Sequence, residues 1–288
     1  MSMINYSDVG CIIQARMTST RLPGKVLKII DYKKNKTILE EVIRRVQLSK
    51  YIGKIIIATT ASNEDDDIVK ISEKQNVICF RGSEQDVLSR YYFAAKENKI
   101  SHIVRITSDC PFIDPYVIDD LIKLYFDSKS DYCSNCLERT YPHGLDCEIF
   151  SYQALEKAYF EGEDAFFREH VTAYIYNNPE KFKLNCLKVN NKFNYKDIRI
   201  TVDTLQDYIL SCVLRDNLND EDVAFRCILK LYDEKPFLKL INSDALQKKR
   251  YQTVKEEIEA AIKLLDLQEM FNATNALKVY LMREENGV

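Results

Sequence analysis

The sequence predicts an α/β fold in which a largely parallel sheet is covered by helices on both faces. Three observations carry this. Short runs such as VGCIIQ and KIIIATT are apolar at nearly every position rather than alternating with polar residues, which marks strands buried on both sides. Between them lie longer stretches with apolar residues at helical spacing. The alternation of the two patterns holds over the first 130 residues, as βα units require.

Taken in order, VGCIIQ (9–14) reads as the first strand. TILEEVIRRVQLS (37–49) reads as a helix opened by Thr37 and Glu40 in capping-box spacing. KIIIATT (54–60) is a β-branched strand, followed by the acidic helix start NEDDDIVKISEKQ. VICF (77–80) is a third strand, and Ser83 with Asp86 caps a helix through DVLSRYYFAAKEN. HIVRITSD (102–109) is a fourth strand, with a helix in PYVIDDLIKLYFDS after it. Past residue 130 the rhythm loosens. DYCSN, LDCEIFS, FKLNCLKV (182–189) and DIRITVD (197–203) have strand character. Helices are expected at 152–161, as one piece over 166–178, and in LQDYILSCVLRD and DVAFRCILKLYD. From about residue 241 the chain turns polar and helical. The expected division is a main domain over 1–238 and a helical extension over 239–288, in which Ile258, Ala261, Ile262, Leu265 and Leu267 form an apolar stripe.

Composition removes several function classes. A net charge of −3 argues against a general nucleic-acid binder. No apolar run approaches the ~20 residues that cross a bilayer, and the N-terminal residues lack a leader pattern, so a cytoplasmic protein without a membrane partner is expected. The nine cysteines are scattered. Cys133 and Cys136 have knuckle spacing, but no second pair matches them, and reduced, mostly buried thiols are the reading taken.

Ligands of open parallel sheets gather at the carboxyl ends of the strands. The first strand empties there into QARMTSTRLPGK (14–25), a loop with one glycine and neither of the usual glycine-rich phosphate patterns. If it holds phosphate it does so with side chains: Arg16, Arg21 and Lys25 as cations, Thr18 and Ser19 as hydroxyl donors, with backbone N–H groups near Gln14 and Ala15. Alone, the loop reads equally well as a solvated turn. Asp109 and Asp203 each end an apolar run and precede a helix. Each is either a cap or half of a carboxylate pair for Mg²⁺.

The stretch CIIQARMTSTRLPGKVL resembles the opening signature of cytidylyltransferases that activate acidic sugars. FRGSEQDVLSRYY, VRITSDCPFIDP, SNCLERTYPHGLDCEIFS, REHVTAYIYNNPEKFKL and RITVDTLQDY resemble, in order, the spore-coat polysaccharide biosynthesis branch of that family. The resemblance covers about residues 9–235. It implies a Rossmann-like nucleotidyltransferase fold of the glycosyltransferase-A type, a three-layer sandwich whose sheet is mixed but mainly parallel. It implies that Arg16, Ser19, Arg21 and Lys25 grip a triphosphate and that Asp109 and Asp203 hold Mg²⁺. Thr59, Arg81, Ser83 and Arg105 would then border the base and ribose. His143, Asp146, Glu148, Arg168 and His170 would border the acceptor. The reaction implied is transfer of CMP from CTP to a hydroxyl of an acidic sugar, in an enzyme whose relatives are commonly homodimers. The alternatives are transfer with another nucleotide, glycosyl transfer on the same fold, or a non-catalytic nucleotide- or partner-binding protein.

Overall fold

A computed structural model describes residues 6–189, 194–245 and 253–285. The parallel half comes first: β1 (Val9–Gln14), β2 (Ile29–Asp31), β3 (Lys36–Thr37), α1 (Ile38–Val46), β4 (Lys54–Thr60), α2 (Asp66–Lys74), β5 (Ile78–Gly82), α3 (Val87–Glu97), β6 (His102–Thr107) and α4 (Pro115–Ser128). The second half adds β7 (Tyr132–Ser134), β8 (Glu148–Ser151), α5 (Tyr152–Glu161), α6 (Ala165–Glu169), α7 (Ala173–Tyr176), β9 (Leu184–Cys186), α8 (Leu205–Asn217) and α9 (Phe225–Glu234). A helical pair, α10 (Val254–Leu267) and α11 (Phe271–Glu285), follows.

Seven strands form one sheet in the order β5-β4-β1-β6-β8-β7-β9. Pairing is parallel from β5 through β6, antiparallel on both sides of β8, and parallel again between β7 and β9. The sheet is therefore mixed but mainly parallel, with β8 alone reversed. The apolar strands bury both faces as expected. Cys11, Ile13, Ile55, Ile57, Val104 and Ile106 pack on the side of α1 and α4, whereas Ile12, Ile56, Ala58 and Ile103 pack against α3 and α5. The predicted caps are present: Thr37 and Glu40 form a capping box, and Asp86 caps α3.

Two expectations are corrected. The single helix over 166–178 is two short ones, α6 and α7, broken at Val171, which has a φ of 42° and is fully buried. The strand expected over 197–203 is no strand. It is an extended segment with one bridge, Arg199 to His143, because its backbone serves two loops at once. His143 N donates to Ile198 O, Ile200 N donates to His143 O, and Val202 N donates to Asp109 O. The antiparallel pair β2–β3 was not expected at all.

By its contacts the chain divides into units 1–245 and 246–288. Residues past 238 join the first unit because Leu238 is fully buried and Asn242 donates to Asp207 Oδ1 at 2.8 Å and Arg199 O at 3.1 Å. The second unit is a pair of helices; residues 246–252 of the expected tail, like the first five residues, lie outside those described. No helix among the described residues is long and apolar enough to cross a membrane.

Gly144 shows how tightly the 197–203 segment is held. Its φ is 107°, and a Cβ there would lie 2.5 Å from Thr201 N and 2.6 Å from the Ile200 carbonyl carbon. Gly144→Ala is expected to destabilise the protein by about 2–3 kcal/mol in urea denaturation, from backbone strain plus a clash with backbone that cannot move aside. An unchanged midpoint would show that the segment yields.

Candidate functional site

After β1 the chain passes to β4 and β5 on one side, then returns to place β6 on the other. The crevice at the carboxyl ends of β1 and β6 is therefore the topological switch point, where open sheets of this kind bind ligands. Gln14 and Thr107 are register partners at its edge. The loop leaving β1 is anchored rather than loose. Ala15 is buried, and its N–H donates to Ala58 O at 3.2 Å. Ser19 N and Gly24 N both donate to Met17 O, with Gly24 left-handed at a φ of 65°. Met17 N donates to Asp65 Oδ1 at 2.8 Å. Asp65 is 1% exposed, and its other oxygen accepts from Thr59 Oγ1, Thr60 N and Thr60 Oγ1. One buried carboxylate thus ties the loop to the end of β4.

The loop delivers Lys25 into the crevice. Its ammonium donates to Asp109 Oδ2 at 2.9 Å, to Asp203 Oδ1 at 2.9 Å and to the Val202 carbonyl at 2.8 Å. Arg21 lies 3.0 Å from the same Asp203 oxygen, and Arg199 reaches the other oxygen at 3.0 Å. Arg199 also makes two bonds to Asp207, which closes a capping box with Thr204 at the start of α8. Thr107 Oγ1 donates to Asp109 Oδ1 at 2.5 Å. Burial alone would raise the Asp109 carboxyl, but the Lys25 charge and the Thr107 and Lys25 hydrogen bonds hold it below the usual range. For Lys25 burial works downward, and the two aspartates overcome it and raise the ammonium above its ordinary value. Both partners are therefore ionised at neutral pH. Asp109 and Asp203, which the sequence separates by more than ninety positions, meet here.

The residues expected to border the base and ribose are engaged within the protein. Arg105 is deeply placed: it bonds Glu148 Oε2 and Gln14 Oε1, each at 3.1 Å, beneath Tyr91. Glu148 also accepts from Thr172 Oγ1 at 3.0 Å. Thr59 is fully buried with its hydroxyl on Asp65. Arg81 turns to Thr60 O, Ser62 O and Asp66, fastening the β4–α2 turn. Ser83 Oγ accepts from Asp86 N, and its carbonyl accepts from Arg90, a buried guanidinium. Arg16 faces Glu84 at 3.6 Å, and Thr18 Oγ1 donates to the same carboxylate at 2.7 Å.

Among the residues expected to border an acceptor, Asp146 is locked to Arg139 by two bonds, at 2.6 and 2.9 Å. Asn135 pins this loop by donating to Leu145 O and accepting from Cys147 N. His143 lies between the fields of Arg139 and Arg199. Burial first, and then Arg139, lower its pKa, so it is neutral at pH 7. Arg168 instead pairs with Asp86 at 3.4 Å and stacks on Tyr159, while His170 is exposed against Phe166. Arg139, Arg199, Asp65 and Glu84 escaped the sequence reading. Only Arg199 carried a signal there, eight residues before Asp207 and four before Asp203.

A family model described as cytidylyltransferase matches residues 10–239. An uncharacterised protein of Methanocaldococcus jannaschii is 39% identical over 245 residues, which span 85% of this chain and 98% of that one. The spore coat polysaccharide biosynthesis protein SpsF of Bacillus subtilis is 36% identical over 216 residues, 70% of this chain and 84% of its own. The solved structure of a cytidylyltransferase from Leptospira borgpetersenii is similar with a TM-score of 0.76 and 33% identity, over 85% of this chain and 99% of that one. The matched span takes in all of the sheet but Val9, the β1 exit loop and both aspartates, and the chain belongs to the cytidylyltransferase family, in its SpsF-like branch.

Proposed function

We propose that the protein transfers CMP from CTP to a hydroxyl of an acidic sugar, releasing pyrophosphate, in the assembly of a surface polysaccharide. The observation that carries this is the meeting of Lys25, Asp109 and Asp203 at the β1/β6 switch point. The family supports the nucleotide, and the SpsF relative supports the polysaccharide setting.

The donor chemistry fits Mg²⁺. Asp109 Oδ2, Asp203 Oδ1 and the Val202 carbonyl are all hard oxygen donors converging on a point that already holds a positive charge. Bound by the two aspartates, the ion would supply charge at the α-phosphate and lower the pKa of the attacking hydroxyl. Arg16, Arg21 and Lys25, with Ser19, grip the β- and γ-phosphates and neutralise charge that builds on departing pyrophosphate. Arg139 and Asp146 offer both donors and acceptors to the acceptor's polar groups, beside a neutral His143. The acceptor oxygen forms its bond to the α-phosphorus in line as the bond to the bridging oxygen of pyrophosphate breaks. Its proton leaves to water. No protein nucleophile enters; Cys110, beside Asp109, has its thiol pushed up by burial and is a poor one.

Pyrophosphate release with each of four nucleoside triphosphates and a panel of sugar acids tests the reading. Turnover with CTP and one acid is expected, and turnover confined to another nucleotide, or none with any pair, rejects it. Asp203→Asn should lower turnover by about 10²–10³-fold while thermal unfolding stays cooperative. Activity near the wild-type level would remove Asp203 from the reaction. Lys25→Ala should weaken CTP binding about 10- to 100-fold in calorimetry, the weight of one charge-assisted contact. Unchanged affinity would place the triphosphate elsewhere.

A further inference from the structure

We propose that Lys25 is the resident cation of the aspartate pair, so that a divalent ion enters the site only when the triphosphate draws Lys25 away. The inference rests on the cytidylyl-transfer reading and adds an order of binding to it.

The first support is the way the ammonium is placed. All three of its donors are engaged, at 2.8–2.9 Å, by two carboxylates and a carbonyl. Asp109 Oδ2 and Asp203 Oδ1 are the oxygens a metal ion between the two aspartates would need. Lys25 is 9% exposed and begins a short 3-10 helix (Lys25–Leu27), directly after the left-handed Gly24. Its backbone is thus fixed, and the four-carbon stem is what can move.

The second support is charge. Asp109, Asp203 and Asp207 face Lys25, Arg21 and Arg199 in one connected group, three carboxylates against three cations. A divalent ion added to this neutral group meets repulsion from Lys25 and has no carboxylate oxygen facing it that is not already engaged. A nucleoside triphosphate changes that balance by bringing several negative charges to the mouth of the loop. Lys25 can follow the phosphates, vacating two carboxylate oxygens for the metal. The same side chain then serves the ligand-free protein as counter-ion and the loaded protein as phosphate clamp. By linkage, metal and nucleotide must each raise the affinity for the other by the same factor.

Mn²⁺ serves as the probe, its free concentration read by electron paramagnetic resonance, with α,β-methylene-CTP as the non-reacting nucleotide. Nucleotide-free wild type is expected to bind Mn²⁺ at least about tenfold more weakly than Lys25→Met, a coupling in the usual range for linked sites. Adding Asp109→Asn to Lys25→Met should abolish the gained site. With the analogue present, and its own Mn²⁺ binding subtracted, wild type should gain at least about the same factor. Circular dichroism establishes that Lys25→Met is folded; if it is not, the two wild-type arms decide. Equal Mn²⁺ affinity of wild type with and without the analogue, or of nucleotide-free wild type and Lys25→Met, overturns the resident-cation role alone. No Mn²⁺ site under any condition overturns the metal assignment itself, and failure to bind the analogue overturns the cytidylyl-transfer reading.

Discussion

Two carboxylates sharing one ammonium are the constraint on which the rest of the site depends. Asp109 lies in the turn just after β6, and Asp203 arrives from much later in the chain. Bringing like charges together in a partly buried crevice is unfavourable unless a cation sits between them. Lys25 supplies that cation, and the main chain supplies the alignment: Val202 N and Thr201 Oγ1 both donate to the carbonyl of Asp109. Everything around this junction serves to hold it. Asp65 fixes the loop that carries Lys25, Gly144 lets a neighbouring turn press against residues 200 and 201, and Arg199 with Asp207 and Asn242 steadies the approach to α8.

A second ion pair lies on β6 and β8. Arg105 and Glu148 face each other across the antiparallel β6–β8 pairing, and Gln14 and Thr172 satisfy further donors and acceptors. Burial works against the Arg105 charge, but Glu148 more than compensates and keeps the guanidinium protonated. Pairs of this kind contribute little net stability, yet removing one partner strands the other in a dry environment. Their value lies in fixing one register between the two halves of the sheet.

Much of this was legible before the structure. The parallel half could be read because its strands are apolar on both faces, and Asp109, Asp203, Arg21 and Lys25 because strand ends and the family signature point to the same residues. What escaped did so for physical reasons. The break at Val171 depends on a positive φ at a buried β-branched residue, which no local pattern announces. Residues 197–203 have strand composition but pair with two loops. Arg81 and Thr59 stand at strand ends, but the turns there have donors and acceptors of their own to satisfy, and these side chains satisfy them, which no local pattern announces. Arg139 gains its meaning only from Asp146 folding back across seven residues of irregular chain.

The reversal of β8 has an architectural consequence. Every residue that the proposed function assigns to the nucleotide, save Asp203, comes from the first 109 residues, on or after contiguous parallel strands. The loop between β7 and β8, which carries Arg139, His143 and Asp146, reaches that half through β6 and the 197–203 segment. On the proposed function, the grip on one substrate and the seat for the other are thus built from separate parts of the chain, joined at β6 and the 197–203 segment. On the proposed function, changes in the β7–β8 loop would alter the acceptor seat without touching the side chains assigned to the triphosphate.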